Sequence, residues 1–576
     1  MQSTFLSTKS SWRPLVKGIA ILSAAAIATS IPAIAQDHDD DAHFHIRFFP
    51  GNLVVSRSVY DNNANNVKVG ALLPTNCANT VGPCAAAINN GTYPFVFNND
   101  TIDASFGITS KIFLDQITPW GFLLDSLEVP NSSFKNVRSE SNQLVTSFSS
   151  KSEIALNLST DGKLLTFMGY VAPINTVDVS NSNTPGVIDP SNPVGVNFFR
   201  AVATVNHNGK FTFTETNAYS GNNGRAAILN NSNGASFFYT AGNAGNGANP
   251  QPNGVILGAG TQFIDPSTAP ESFQTPVAPT PLASFSVTLL GDKADKVGKD
   301  DNFRGLTTFN DVVYLTKGSG SNGVNTVYFV DTTGTACPKG VGIPAPGATL
   351  PIAPLNVSGV NPQNGLPSNM CILAGFPTTL AKNLANPATP FGLWFANAET
   401  LYVAEEGDGF AGDSTLYTHA AAQTDAGIQK WIFNSSTKTW SLAYTLQTGL
   451  ELGVPYTINN YPTGNNTTTK LPWAPATDGI RNITGSVDGA KVTIYGITST
   501  VSGNGDQGAD PNRLVAVTDV LSNTDATKAA VEKFTIVRKA GFAEVLRGVS
   551  YTPSGRDGDD RDNHGDHGDH DHGDHN

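Results

Sequence analysis

Charge, sulfur and histidine are scarce in this chain. Only 14% of its 576 residues are charged, with four cysteines and three methionines. Between the terminal segments there are two histidines, His207 in a His-Asn-Gly turn and His419 in a loop. The 34 basic residues are outnumbered by 47 acidic ones, which excludes the positive surface that nucleic acid or an anionic membrane demands. No stretch after the N-terminal segment approaches the roughly 20 consecutive apolar residues of a spanning helix, so no membrane span is expected. GxSxG, HExxH and phosphate-loop patterns are missing, which removes the most recognisable hydrolase, metalloprotease and nucleotide-binding signatures. A lone histidine in a turn is more often a surface residue than a general base, so neither His207 nor His419 marks a catalytic centre alone.

What is abundant is glycine (56), proline (35) and short runs of Val, Ile, Phe, Tyr and Thr bounded by Gly, Asn and Asp, the pattern of strands joined by turns. Residues 1–35 have the layout of a signal peptide. Lys9, Arg13 and Lys17 precede the apolar run Ile19 to Ile31, and Ala33-Ile34-Ala35 offers a cleavage site before Gln36. Removing them takes away three positive charges and no negative ones, so the formal net charge goes from −13 to −16. The expected compartment is extracellular or periplasmic, where cysteines pair. Local pairing, Cys77 with Cys84 and Cys337 with Cys371, is expected over crossed pairing. The longer of these loops would lose roughly 3–4 kcal/mol of unfolded-state entropy in the loop-closure picture.

A four-strand unit recurs along the body. Its clearest copy runs through IRNITGS (Ile480 to Ser486), VTIYGIT (Val492 to Thr498), NRLVAVT (Asn512 to Thr518) and KFTIV (Lys533 to Val537). The same order appears in GLWFA, LYVAE, GIQKWIF and WSLAYTL between Gly392 and Leu446, and from GLTTF at Gly305 to MCILAGF ending at Phe376. Weaker copies span Ile154 to Thr214 and Arg225 to about Leu290, making five. LRGVSY, Leu546 to Tyr551, is a first strand with nothing after it. NLVVSRSVY (Asn52 to Tyr60), KIFLDQ (Lys111 to Gln116) and LLDSLEV (Leu123 to Val129) form a unit lacking its first strand. The chain therefore reads as all-β, a single β-propeller over residues 48–553 with six blades, closed by pairing of the C-terminal strand with the N-terminal blade. Closure removes the free sheet edges such a fold must manage. Seven blades is the alternative if an insertion hides one more.

LRGVSYTP and the run IRNITG…VTIYGITST…NRLVAVTD resemble the final blade of a recurrent group of exported microbial propeller proteins without assigned activity. The likeness is strongest from about residue 300 to 553. It implies a fold and no substrate. Sugar-lactonase-like propellers share the six-blade plan, but their metal-binding carboxylate and asparagines have no residue-by-residue counterparts here.

Three first strands begin with an acid three residues before an arginine: Asp301 and Arg304, Asp478 and Arg481, Glu544 and Arg547. Asn222 and Arg225 form a related copy, while Gly392 stands in for the arginine in the GLWFA blade. First strands line a propeller's channel, and a ring of guanidinium forks suits a carboxylate or phosphate at its mouth. The structural alternative is that each arginine bridges its own acid and fixes the loop between blades. Glu405, Glu406 and Asp408, with Asp506 to Asp510, fall in second-to-third-strand loops of the same face. Their oxygens can take Ca²⁺, although the spacing lacks a calcium-loop pattern and also suits a solvated acidic loop. At the ends, residues 36–47 carry His38, His43 and His45. The tail 554–576 carries His564, His567, His570, His572 and His575 among aspartates. Imidazoles at this spacing can chelate Zn²⁺, Ni²⁺ or Cu²⁺, the alternative being a solubilising tail. The expected function is an exported, monomeric binding or interaction protein for an unidentified extracellular ligand or protein, with a metal-binding tail. The other reading is a hydrolase or lyase using carboxylates and a divalent ion at the channel mouth.

Overall fold

The short apolar runs become six small sheets arranged in a ring, a six-bladed β-propeller. The computed structural model describes residues 48–63, 65–67, 72–73, 85–86, 107–135, 137, 142–185, 196–243, 260–266, 302–319, 323–337, 339–352, 370–461, 464–466, 469–503 and 507–555. Blade 1 orders its strands Glu544–Tyr551, Leu53–Val59, Thr109–Ile117 and Leu123–Glu128. Blade 2 runs Asn157–Leu158, Leu164–Tyr170, Arg200–Asn206 and Phe211–Thr216. The described part of blade 3 has Gly224–Asn230, Phe237–Gly242 and Thr261–Ile264; residues 267–300 lie outside the described residues. Blade 4 has Phe303–Phe309, Val312–Lys317, Thr326–Val330 and Met370–Leu373, with Val341–Gly342 added in parallel. Blade 5 consists of Pro390–Asn397, Thr400–Glu405, Gly427–Asn434 and Thr439–Leu446, and blade 6 of Ala476–Asp488, Lys491–Val501, Arg513–Val520 and Thr535–Lys539.

Local chemistry sets the turns. Phe309 and Val312 are joined by Asn310 and Asp311, both left-handed (φ 46° and 58°), as a two-residue hairpin requires and as Asn and Asp tolerate. The first-strand segments contact one another in sequence around the ring, blade 2 to 3 to 4 to 5 to 6 to 1 and back to 2. Glu544–Tyr551 supplies that inner strand for blade 1 and pairs antiparallel with Leu53–Val59, from Leu53 opposite Tyr551 to Val59 opposite Glu544. The ring is thus closed by the chain's own two ends of the repeat, in the register the incomplete fragments imply.

Alternation along each strand sends apolar side chains into the gaps between blades. Tyr239, Phe263, Phe303, Tyr328, Phe395 and Trp440 belong to one buried cluster across blades 3, 4 and 5. Phe395 lies 4.5 Å from Phe309 and 4.7 Å from Tyr314 between ring centres. Each such side chain contributes about 1.5–3 kcal/mol by leaving water. Between blades 5 and 6 a polar knot is satisfied instead. The fully buried Lys430 reaches Asp519 at 3.0 Å, and Asp519 also accepts from Tyr444 at 2.7 Å and from Tyr402. Buried charges persist when paired and hydrogen-bonded in this way. Cys337 and Cys371 form a disulfide, the local pairing expected; Cys77 and Cys84 lie outside the described residues. Among the described residues no helix is long and apolar enough to cross a membrane.

Candidate functional site

Each repeated arginine occupies the same irregularity. The ladder slips between Gly224 and Ala226, between Phe303 and Leu306, and between Ile480 and Ile483, placing Arg225, Arg304 and Arg481 in bulges of their inner strands. In blade 1 the partners jump from Gly548 to Leu546, which leaves Arg547 in the bulge. A bulge sets two residues against one and re-aims a side chain, so the repeat carries arginines out of the normal alternation at one level of the ring. Blade 5 slips between Pro390 and Leu393. The residue in the arginine's place there is Phe391, not Gly392 as the sequence alignment had it, and the Arg304 guanidinium carbon lies 5.5 Å from the Phe391 ring centre. Glycine follows because the next blade is close: a Cβ on Gly305 would stand 2.0 Å from the Phe391 carbonyl oxygen, and one on Gly392 2.7 Å from that of Arg481.

Two of these arginines meet at one carboxylate. Arg481 Nε is 3.1 Å from Glu406 Oε2 and Arg304 Nη2 is 3.8 Å from Glu406 Oε1. Arg304 also donates to Ser152 Oγ (3.0 Å) and Ser319 Oγ (2.6 Å). Arg225 donates to the Phe303 carbonyl (2.7 Å) and to the Asn302 side chain, and Arg547 to the carbonyls of Gly508 (3.1 Å) and Phe148. Asp478 and Glu544, the described acids three residues upstream, go elsewhere, which corrects for Arg481 and Arg547 the idea that each arginine bridges its own acid. Asp478 accepts from the Gly409 N–H (2.9 Å) and the Gln423 amide (2.6 Å), and Glu544 binds Arg57 (2.6 Å) and the Gly541 N–H (2.9 Å). The reason is the bulge: the acids sit ahead of it among loop N–H groups, while it turns the arginine away. Asp301 and Asp506 lie outside the described residues, as do His38, His43, His45 and the five tail histidines. Asn222, the counterpart of these acids in blade 3, accepts from the Asn243 amide at 2.8 Å.

Lys151 joins the group without having been singled out by sequence. It stands three residues before Ile154, the spacing at which other blades carry the acid, so the only available signal was the breach of the repeat. Its ammonium is 3.4 Å from Gln507 Oε1 and interacts electrostatically with Arg481, Glu406, Arg304 and Asp478. Burial and then the two guanidiniums hold the Lys151 amine below its ordinary pKa, against the pull of the acids. Burial alone would raise Glu406, but Arg304, Arg481 and Lys151 outweigh it and keep that carboxyl low and ionised. Burial, followed by the neighbouring Arg304, pulls Arg225 well below its usual value. Glu405, next in sequence, points to Thr389, whose N–H (2.6 Å) and hydroxyl (3.1 Å) it accepts; burial pushes it up to about 8. Burial likewise lifts Asp478 to about 6. The carboxylates named for calcium therefore diverge: Glu406 to guanidiniums, Glu405 to Thr389, Asp408 to His419 (2.5 Å) and Asp510 to the Tyr461 hydroxyl (2.8 Å).

Three guanidiniums and one ammonium thus lie within electrostatic reach of Glu406, the carboxyl held low, while Asp478 faces Lys151 and Glu153 faces Arg225, inside a chain whose formal net charge is −13. The buried Nε groups of Arg225 and Arg304 have no hydrogen-bond partner among the described residues. Such a group donates readily to a carboxylate or phosphate. Asp331 lies near the Cys337 and Cys371 sulfurs, but those are bonded to each other and Asp331 accepts the N–H groups of Thr333, Gly334 and Ala336, which leaves no metal-ligand set there.

No family profile and no curated protein matches the sequence. Among solved structures, a Bacteroides uniformis protein provisionally named a 6-phosphogluconolactonase is similar over 77% of this chain and 95% of its own, at 11% identity and TM-score 0.29. The computationally designed Ika8 protein is similar over 78% of this chain and 91% of its own, at 8% identity and TM-score 0.24.

Proposed function

We propose that this chain is an exported β-propeller that binds a small anionic ligand at the axial mouth of its ring, with histidine-rich ends that hold a divalent metal. The observation that carries the anion reading is the surplus of positive charge around Glu406, built from blades 3, 4 and 6 and the Lys151 loop in an otherwise acidic protein. Burying like charges together raises the energy of the free protein, and an anion with two acidic oxygens relieves that cost by accepting from the forks. Export is supported by the signal-like residues 1–35 and the Cys337–Cys371 disulfide, which fits an oxidising compartment. The same two features support a secreted or periplasmic location.

Thermal unfolding with malonate, oxalate and phosphate tests the anion site. At one hundred times Kd a ligand of the native state adds about 2.7 kcal/mol of stability. We expect a rise in Tm with at least one of these anions, and its loss in Arg304→Met and Arg481→Met. No rise with any of the anions, or a rise that survives both substitutions, overturns the reading. The lyase alternative has one observation in its favour, the amine of Lys151 beside two guanidiniums.

A further inference from the structure

We propose that Lys151 is a nucleophile that forms an imine with the carbonyl carbon of a small 2-oxo acid whose carboxylate is held by Arg304 and Arg481. This rests on the anion site and narrows its ligand to acids with a carbonyl next to the carboxylate. The Lys151 amine interacts electrostatically with the Arg304 and Arg481 guanidiniums and with Glu406, which joins them. Lys151 and Ser152 are consecutive, Ser152 Oγ takes the Arg304 fork at 3.0 Å, and Glu406 ties Arg304 to Arg481. The one hydrogen bond that the Lys151 ammonium donates among the described residues goes to Gln507 Oε1 at 3.4 Å, at the long limit for such a bond, so the nitrogen is not locked in a buried ion pair as Lys430 is. Gly409 separates Lys151 from Asp478. A Cβ on Gly409 would lie 3.8 Å from Lys151 Nζ, while its N–H donates to Asp478 Oδ2 at 2.9 Å.

Each part has a chemical role. A lysine near other cations surrenders its proton more readily, which is how amines become nucleophiles near neutral pH. Burial and the flanking Arg481 and Arg304 act on Lys151 in that direction, while Glu406 and Asp478 face it with the opposite sign. The lysine ammonium first gives one proton to water, a loss that burial and the flanking guanidiniums favour. The freed lone pair adds to the carbonyl carbon, and the carbonyl oxygen takes the proton that the newly bonded nitrogen sheds, giving a carbinolamine. That hydroxyl leaves as water with a proton returned by solvent, and the C=N bond forms. Ammonium plus ketone gives protonated imine plus one water; charge is conserved and nothing is oxidised or reduced. The protonated imine is an electron sink beside the bound carboxylate, the arrangement a lyase acting on 2-oxo acids would use.

Borohydride trapping on the full mature protein tests this directly. Protein is mixed with pyruvate or glyoxylate, reduced with sodium borohydride, and read by intact mass and peptide mapping, while malonate binding to the same protein is followed by calorimetry. The expected result is a single reduced adduct on the peptide carrying Lys151, formed about tenfold faster than on any other lysine as oriented reaction predicts, and suppressed by malonate. It should vanish in Lys151→Arg, whose fold is checked by circular dichroism. If malonate binds but label is absent from Lys151 or spread over surface lysines, the imine is overturned and the anion site stands. If malonate does not bind, the arginine grip is gone; label on Lys151 without it would also overturn the proposal, since the carboxylate would have no part in the reaction.

Discussion

Glu405 and Glu406 are adjacent, yet they live in opposite electrostatic worlds. Consecutive strand-end residues point to opposite sides, so Glu406 meets two arginines while Glu405 is buried against Thr389. Because the folded-state pKa of Glu405 is raised from 4.5 to about 8, the folded protein binds more protons than the unfolded chain between those values. Its contribution is therefore fully present below about pH 4.5 and is lost as pH rises towards 8. Glu405→Gln mimics the protonated acid, keeping an oxygen for the Thr389 donors. Denaturant titrations should find the variant within about 1 kcal/mol of wild type at pH 5 and more stable than wild type at pH 9, since one buried ionisation has been removed. A variant that loses stability equally at both pH values would show that Glu405 is ionised in the native state. The sequence displayed both acids in a loop-like Glu-Glu-Gly-Asp string, and nothing in that string says which one faces cations. That depends on side-chain direction and on partners hundreds of residues away.

At the scale of strands, pairing order was legible and register detail was not. Period-two alternation and Gly/Asn/Asp turns mark LVVSRSV, VVYLTK and RLVAVTDV as strands, and the orphan LRGVSY could only complete the blade that lacked a first strand. Bulges carry no residue signature of their own, so the positions of Arg304, Arg481 and Arg547 on them were invisible. The same blindness put Gly392 where the bulge places Phe391. The closing strand yields the sharpest test of the architecture. A chain ending at Ala543 leaves Leu53–Val59 as an open edge and exposes Leu546 and Val549's partners in the cluster with Leu53, Val55 and Ile497. It should lose the cooperative melt of the parent and aggregate on warming, followed by circular dichroism and light scattering. An unchanged melting curve would contradict a ring closed at this blade.

For the whole molecule, long loops between strands hid the repeat but did not alter its order, because insertions at strand ends leave the ladder intact. The histidine-rich ends lie outside the described residues. Leu53 and Tyr551 face each other across one pair of strands, so the segments beyond them start from neighbouring points of one blade. Two weak ligand groups tethered in this way gain effective concentration, and one shared metal site should be tighter than either segment offers alone. Zinc and nickel titrations into the mature protein, a chain ending at Ser554 and a chain starting at Phe48 should give weaker affinity in both shortened forms. Affinity in the intact protein should fall below about pH 6.5, where imidazole takes up a proton and stops ligating. Equal affinity without the tail would remove it as a ligand source; equal affinity without residues 36–47 would leave the tail binding alone.

The clasp between Arg57 and Glu544 joins residues 487 positions apart. Contacts of such separation form late, because the intervening chain must be in hand before they can be made. Five blades can assemble as their strands become available, but the inner place of the first stays empty until Glu544–Tyr551 arrives. If the chain leaves the cell as proposed, the ring can close only after its last strand has followed the rest across.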